Sequence, residues 1–338
     1  MNIPPGKLPA CQLREFLHGV QKLDSSVLVG PAIGEDAAVI DVGASDLVVV
    51  ASDPITFADA DLGTHVLAVN GNDLAVMGAE PRWLLTTVLM PEGTVVDEVR
   101  TLMSGIDAAC AAEKVTLVGG HTEVTRSVRS PIVIGTLLGT VAPDKLVQTS
   151  GAEPSDVLIL AGEIAIEGTA ILARDYDSAL RAQGVNSDDI LEAAKWLTVP
   201  GISVRTLARA LRESIDVHSM HDPTEGGIVA TLHELAEAAD VGLIVDRDAV
   251  PVLPACRRIC DVLGLDPYAL LASGALLAAV PASSVDESVA VLHAAGASAS
   301  VIGQVAPVDE GRTWTINGRS RLLPEVSRDE LARYLDLI

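Results

Sequence analysis

Aromatic residues are scarce in this sequence. Only 2% of its 338 residues are aromatic, with Trp 3, Tyr 3 and Phe 2. Stacking platforms for single-stranded nucleic acid depend on such side chains, so binders of that class are disfavoured. The core must therefore be built from Ala, Val, Leu and Ile. Because 49% of the residues are hydrophobic, the chain can bury a sizeable core, which excludes global disorder.

Basic residues are also few compared with acidic ones. Lys and Arg total 23 against 46 Asp and Glu, which gives a formal net charge of -23. A nucleic-acid backbone would be repelled by that field, so we expect no nucleic-acid partner. A compact anion such as a nucleotide could bind only where a divalent cation or a cluster of backbone N–H groups offsets the charge.

Cysteines are few, and long apolar runs are absent. The cysteines, Cys11, Cys110, Cys256 and Cys260, show no C-x-x-C spacing and are too few for a disulfide framework. Cys256 and Cys260 share a predicted helical face, and we interpret them as small buried hydrophobes rather than a metal pair. No run reaches the ~18 to 20 apolar residues that span a bilayer, and the N-terminus lacks the apolar core of a signal peptide. We expect a cytoplasmic protein without a membrane partner.

The common nucleotide-binding and hydrolase signatures are missing as well. The sequence contains no G-x-x-x-x-G-K-[ST], G-x-G-x-x-G, G-x-S-x-G or H-E-x-x-H. It does contain helical and strand patterns in both halves, which predict mixed α/β structure throughout. The turn-rich stretch 142–156 separates the halves, so we place one boundary near residue 150, giving domains 1–150 and 151–338.

Hydrophobic periodicity predicts the individual elements. In the first domain we expect helices over 9–23, 64–77 and 95–113, and strands over 37–42, 47–52, 84–90, 115–118 and 132–138. In the second we expect strands over 157–161, 243–245, 276–280, 300–305 and 313–316, and helices over 165–173, 190–196, 204–214, 228–239, 255–263 and 285–294.

Carboxylates in the first domain form the first candidate site. Asp36 opens one strand of a predicted hairpin, and Asp53 closes the other. Asp73 lies inside an otherwise apolar helix that Asn70 and Asn72 also interrupt. A carboxylate buried there would be costly without a cation, and three carboxylates suit magnesium with a phosphate ligand. The alternative is that Asp36 and Asp53 are turn residues and Asp73 faces solvent.

Two glycine-containing stretches are further candidates. Gly119 and Gly120 follow a predicted strand, where paired glycines could form an anion nest or an ordinary tight turn. Residues 221–227, His-Asp-Pro-Thr-Glu-Gly-Gly, open a helix whose N-terminus suits phosphate, with Asp222 available as a metal ligand. The alternative there is simple capping by Asp222 or Thr224.

Histidines next to these stretches are the candidate catalytic residues. They are His65 and His121. His218 and His221 could form a metal pair, but nothing nearby completes such a site. No residue stands out as an obligate nucleophile.

Five stretches, in this order, resemble the aminoimidazole ribonucleotide (AIR) synthase superfamily. They are GEDAAV (34–39), VNGNDLAVMGAEP (69–81), GGHTE (119–123), GTLLG (135–139) and DPTEGG (222–227). The resemblance spans essentially the whole chain, and the stretch 69–81 is its most specific part. The superfamily includes AIR synthase, selenophosphate synthetase, thiamine-monophosphate kinase and the hydrogenase maturation factor HypE.

The resemblance implies two α/β domains per chain, a homodimer whose N-terminal sheets join into a barrel, and Mg-ATP bound between the domains. It implies metal and phosphate ligands at Asp36, Asp53, Asp73 and Asp222, a second phosphate-side loop at Gly119, Gly120, His121 and Thr122, and further cofactor contacts at Gly34, Asn72, Gly226 and Gly227. His121 stands where thiamine-monophosphate kinases have Asp, which argues against that activity.

The implied chemistry is ATP-dependent phosphorylation of an amide, carbamoyl or similar oxygen on a small-molecule or partner-borne substrate. The alternative is an ATP-binding dimeric regulatory or scaffold protein without turnover. HypE proteins present a cysteine at the extreme C-terminus, whereas this sequence ends at Ile338 and its last cysteine is Cys260. We therefore expect that the chain does not accept a carbamoyl group on its own cysteine.

Overall fold

The computed structural model describes residues 5–8, 10–21, 24–56 and 61–337. They divide into two compact units. The N-terminal unit comprises residues 24–30 and 36–146, and the C-terminal unit comprises residues 147–337, residues 31–35 and the described residues up to 21. A single boundary near residue 150 would assign residues 31–35 and the described residues up to 21 to the first domain, whereas they belong to the C-terminal unit. The domain boundary near residue 150 stays a prediction.

The elements are numbered in chain order. The helices are α1 (Ala10–His18), α2 (Leu62–Val76), α3 (Val96–Ala112), α4 (Ile166–Asp175), α5 (Asp177–Ala182), α6 (Ser187–Ala193), α7 (Arg205–Ser214), α8 (Gly227–Ala238), α9 (Pro254–Leu263), α10 (Val285–Ala294) and α11 (Glu330–Leu335). The strands are β1 (Val27–Val29), β2 (Ala38–Ile40), β3 (Leu47–Ala51), β4 (Pro54–Ile55), β5 (Glu80–Pro91), β6 (Thr116–Thr125), β7 (Ile132–Val141), β8 (Val157–Ala161), β9 (Ser219–His221), β10 (Gly242–Asp246), β11 (Leu276–Val280), β12 (Ala299–Ala306), β13 (Arg312–Ile316) and β14 (Arg319–Leu322).

The N-terminal unit is built on one mixed sheet. Its strands follow the order β1-β2-β3-β7-β5-β6, and β4 pairs with β7. β2 and β3 form the predicted antiparallel hairpin, in which Ala38 pairs with Val50. Along β7, fully buried residues alternate with half-buried ones, the pattern of a strand with one face in the core. That core includes Val133 and Leu137 and packs against α2.

α2 is buried nearly all round. Of its 15 residues, 12 are buried, so it is a core helix rather than an amphipathic surface helix. This confirms the helix predicted over 64–77. A Cβ on Gly63 would lie only 2.6 Å from the backbone of Gly105 in α3, so glycine permits the close approach of the two helices.

The Gly119–Gly120 stretch is part of a strand and not a loop. β6 runs parallel to β5, and Gly120 pairs with Thr86. Gly120 has a φ of 147°, and a Cβ there would overlap the carbonyl oxygen of Thr86. The predicted end of the strand at Val118 is therefore wrong, because these glycines serve the close pairing of two strands rather than a turn or nest. β6 is an edge strand and is exposed along almost its whole length.

The C-terminal unit contains the second sheet, with the order β14-β13-β10-β12-β8-β11-β9. Its inner strands β8 and β11 are almost fully buried, which agrees with the apolar runs that predicted them. β9, at one edge, leads through residues 222–226 into α8. The helix predicted over 190–196 instead begins at Ser187, because the Asn186 side chain caps it by accepting from the Asp188 N–H at 2.9 Å.

α1 is shorter than the helix predicted over 9–23, of which residues 9, 22 and 23 lie outside the described part. It ends at His18, and Gly19 follows. Arg14 of α1 pairs with Glu237 of α8, with Nε 2.7 Å from Oε1. Cys256 and Cys260 of α9 are buried, as predicted. No helix in the described ranges is long and apolar enough to cross a membrane.

Candidate functional site

Two predicted ligands lie at the same end of the β2–β3 hairpin. Asp36 precedes β2 by two residues, and Asp53 follows β3 by two residues. Because the strands are antiparallel and Ala38 pairs with Val50, these positions are at neighbouring strand ends. Both residues are half-buried. The strand pattern thus predicted correctly where the hairpin places them.

Asn70 of α2 holds the backbone of Asp53. Its Oδ1 accepts a hydrogen bond from the Asp53 N–H at 2.9 Å, and its Nδ2 donates to the Val66 carbonyl at 2.9 Å. The Asp53 carbonyl also accepts from the Gly135 N–H at 3.0 Å. A Cβ on Gly135 would lie 2.7 Å from Nδ2 of Asn70, so glycine leaves room for the amide. Asn70, which we noted in the sequence but assigned no role, therefore fixes the backbone of Asp53.

Asp73 lies one helical turn beyond Asn70 and is 7% exposed. Residues three apart share a helix face, so Asp73 is on the side of α2 that binds Asp53. Asp36, Asp53 and Asp73 offer hard oxygen donors from one hairpin end and the adjacent helix. Carboxylate oxygens are the donors that magnesium prefers. Within the described residues, however, the carboxylates of Asp36, Asp53 and Asp73 do not form a group with all ligand atoms within 4.8 Å of one another. The structure does not assemble these three acids by themselves, and the metal site stays a prediction.

The two candidate histidines lie in different environments. His65 is buried in the first turns of α2, and its Nδ1 lies 3.0 Å from the Asp61 carbonyl oxygen. His121 is exposed on β6, and its Nε2 lies 3.1 Å from Oε2 of Glu123. Thr122 is exposed beside it. The predicted phosphate-side residues 119–122 therefore present a strand face and not a loop.

In the C-terminal unit, Gly34 lies against α8. Its φ is 84°, and a Cβ there would lie 2.5 Å from the Glu234 carbonyl oxygen. Both the positive φ and the close approach require glycine. The next residue, Glu35, accepts a hydrogen bond from the Ser150 N–H at 3.1 Å through Oε1.

Asp222 follows β9, next to a charged network that runs from the buried His221 through Glu234 to the exposed Lys7. His221 and Asp222 are both buried, and Nε2 of His221 lies 3.2 Å from Oε2 of Glu234. Lys7 donates from Nζ to the other oxygen of Glu234 at 2.8 Å. Burial alone raises the pKa of Glu234, but the hydrogen bond with His221 and the Lys7 ammonium outweigh it and hold that pKa well below its usual range. Glu234 is therefore an ionised anchor for His221.

α8 begins without either of the caps considered from the sequence. The N-cap position of α8 is Gly226, which has a φ of 86° and no side chain that could cap the helix. Asp329 instead accepts from the Gly226 N–H at 2.6 Å and from the Leu331 N–H at 2.7 Å. Capping by Asp222 or Thr224 is therefore wrong, and the metal-ligand role of Asp222 stays a prediction.

Glu167 and Asp329 are buried acids that we did not select from the sequence. Burial raises the pKa of Glu167 to about 7, opposed by a hydrogen bond with Ser273 and reinforced by Asp329 and Glu225. Burial also raises the pKa of Asp329 to about 6, although its hydrogen bonds with backbone N–H groups lower it. Glu167 lies in the first turn of α4, where an acid is ordinary, so the sequence carries no signal for it of the kind that marks Asp73.

Comparison with known proteins places this arrangement in a family. Residues 34–141 match the N-terminal domain of AIR synthase related proteins, and residues 153–315 match the C-terminal domain. The carbamoyl dehydratase HypE of Rhizobium leguminosarum bv. viciae is 30% identical over 83% of this chain and 79% of its own length. The carbamoyl dehydratase HypE of Cupriavidus necator is 29% identical over 89% of this chain and 85% of its own length.

A solved structure of the hydrogenase maturation protein HypE in complex with ATP has the same fold. Its TM-score is 0.71 at 24% identity, over 95% of this chain and 91% of that chain. The two domain matches together cover most of the sequence, and they agree with the mixed α/β sheets of both units. The chain therefore belongs to the AIR synthase related protein family, as a HypE-like member.

Proposed function

We propose that this chain is an ATP-dependent enzyme that phosphorylates the oxygen of a carbamoyl or amide group and so activates the group for loss of water. Relatives at 29 to 30% identity that are named carbamoyl dehydratase support this reaction. The structure of HypE with bound ATP supports ATP as the phosphoryl donor. The observation on this chain that carries the proposal is the buried carboxylate of Asp73 beside Asn70, which holds Asp53.

Magnesium is part of this proposal because the donor set consists of carboxylates. When bound, the ion would neutralise charge on the phosphate oxygens during transfer. The proposed ligands are Asp36, Asp53 and Asp73 of the N-terminal unit and Asp222 of the C-terminal unit. The proposed nucleotide contacts are Gly34, Asn72, Gly119, Gly120, His121, Thr122, Gly226 and Gly227.

In the proposed reaction, the rate enhancement comes from holding the two reacting groups in position. A carbamoyl oxygen is a weak nucleophile, and it must be held in line with the phosphorus that it attacks. Asn70 supports this by fixing the Asp53 backbone from a fully buried position. No covalent enzyme intermediate is required, in agreement with the lack of an obvious nucleophile among the site residues.

The test is acceptor-dependent ADP release. Purified protein receives Mg-ATP with or without the small carbamoyl thioester S-carbamoyl-N-acetylcysteine. We expect ADP to form in step with the loss of one water from this probe, measured by mass spectrometry. Asp73→Asn should lower the rate by about a hundredfold or more. The matched control Asp46→Asn changes an exposed residue before β3 and should have no effect. ADP release that ignores the acceptor would contradict the proposal.

A further inference from the structure

Glu167 has a buried carboxylate oxygen without a hydrogen-bond partner. The residue is the second of α4 and is 6% exposed. Its Oε2 meets no donor within the part of the chain that the structure describes. The Gly168 N–H donates to the Leu271 carbonyl at 2.9 Å, which holds the start of α4 against the segment that carries Ser273. The Ser273 side chain is the hydrogen-bonding neighbour of the carboxyl group.

Within the described ranges of the chain, no cation is among the groups that act on this buried acid. The charged groups that act on Glu167 are Asp329 and Glu225, and both are acids. Each of those acids has backbone donors, since Asp329 accepts from Gly226 at 2.6 Å and Glu225 accepts from the Lys7 N–H at 2.8 Å. An unpaired buried oxygen opposes folding. A buried acid that the fold does not stabilise is typical of a functional site.

The surroundings define which ligand group fits at Oε2. Asp329 and Glu225 repel a phosphate or carboxylate from this position. An N–H donor of a neutral amide would satisfy the oxygen without adding negative charge. The position also borders the proposed phosphate-binding loop, because Asp329 binds the N–H of Gly226 and Glu225 precedes that glycine.

The inference rests on the proposed function. We infer that Glu167 is a catalytic residue that binds the amide nitrogen of the acceptor through Oε2 and takes one of its N–H protons as the acceptor oxygen is phosphorylated.

The carbonyl oxygen forms a bond to the γ-phosphorus of ATP, and the bond from that phosphorus to the bridging oxygen breaks, so ADP leaves with the electron pair. The electrons of one N–H bond become a C=N bond while the proton moves to Oε2. Loss of the second N–H proton to solvent, with departure of phosphate, gives the nitrile. Burial near two acids raises the pKa of Glu167 to about 7, which suits a base at neutral pH.

Two substitutions separate binding from proton transfer. Glu167→Gln keeps an oxygen that can accept from the amide N–H but cannot take the proton. Glu167→Met removes both abilities. The matched control Glu163→Gln changes a nearby glutamate whose Oε1 accepts from the Ser298 hydroxyl at 3.0 Å. Binding of S-carbamoyl-N-acetylcysteine is measured by NMR with magnesium and a non-hydrolysable ATP analogue, and turnover is measured as ADP release against pH.

We expect Glu167→Gln to bind the probe about as tightly as wild type, while kcat falls by about 10² to 10⁴. Its kcat/KM should lack the loss of rate that wild type and Glu163→Gln show below about pH 7. Glu167→Met should weaken probe binding by about tenfold. A Glu167→Gln variant with wild-type kcat and an unchanged pH profile would overturn the inference.

Failure of the inference about Glu167 can be distinguished from failure of the proposed function. If wild type does not bind the probe, or if Glu167→Met binds it as tightly as wild type, the inference is overturned whether or not ADP is released. If wild type binds the probe, Glu167→Met does not, and no ADP forms, the binding role of Glu167 is supported and the proposed function is contradicted.

Discussion

Replacing Glu167 by Gln should stabilise the folded protein at alkaline pH by an amount that follows from its burial. The pKa of the Glu167 carboxyl rises from its ordinary value of 4.5 to about 7 in the folded protein. A shift of one pKa unit corresponds to about 1.4 kcal/mol. Ionised Glu167 therefore costs the folded state roughly 3 kcal/mol at high pH.

The sign follows from proton binding. Between pH 4.5 and about 7 the folded protein holds this proton more tightly than the unfolded chain does. The contribution of Glu167 to stability is fully present below pH 4.5 and is lost as pH rises through about 7. Gln cannot ionise, so the variant escapes this loss. The two proteins should be equally stable near pH 4.5, and the variant should be more stable by up to ~3 kcal/mol above pH 8.

Urea denaturation followed by circular dichroism, repeated from pH 4.5 to 8.5, measures the difference. Buried acids that do not act on Glu167 titrate alike in both proteins, so the comparison isolates Glu167 together with its coupling to Asp329 and Glu225. Glu163→Gln, four residues earlier, should follow wild type at every pH. A difference that does not change with pH, or a variant less stable than wild type at pH 8, would refute the reasoning, because Glu167 would then be ionised and well paired in the folded state.

ATP with magnesium, and not ATP alone, should raise the melting temperature by several degrees, since a ligand at a hundredfold excess over its Kd adds about 2.7 kcal/mol. Asp73→Asn should abolish that rise, and an unchanged rise would count against Asp73 as a ligand. Asn70→Ala removes the acceptor of the Asp53 N–H and should cost about 1 to 3 kcal/mol in urea denaturation. It should also weaken Mg-ATP binding in calorimetry; unaltered affinity would show that Asn70 does not position Asp53. Light scattering should give a dimer at micromolar concentration. The edge strand β6 exposes the apolar side chains of Val118 and Val124, at 52% and 56%, and a second copy of the chain would shield this unpaired edge from other contacts. Val124→Lys should give monomers, whereas a wild-type mass equal to one chain at all concentrations would contradict the predicted dimer.

Local periodicity was enough to predict α2 and the β2–β3 hairpin, because burial on one face or all round leaves a regular apolar pattern in the sequence. It failed for β6. Two adjacent glycines are typical of a turn, and their actual role depends on the Thr86 carbonyl of a distant strand, which no local pattern reveals. The early start of α6 depends on the Asn186 side chain, a capping signal that we did not use.

The candidate site was predictable where one residue contrasted with its neighbours. Asp73 stands out because an acid inside an apolar helix is unusual. Glu167 did not, because an acid in the first turn of a helix is ordinary and favourable. Asp329 could not be predicted from the sequence for a different reason. Its partner Gly226 is 103 residues away, and only the folded chain brings the two together.

Phosphorylation of the acceptor oxygen by ATP is tested most directly by following that oxygen. S-carbamoyl-N-acetylcysteine carrying heavy oxygen in its carbonyl group is turned over with unlabelled Mg-ATP, and the inorganic phosphate is analysed by mass spectrometry. We predict that each phosphate released carries one heavy oxygen from the probe. Unlabelled phosphate, with the heavy oxygen in water or still in the probe, would contradict the account.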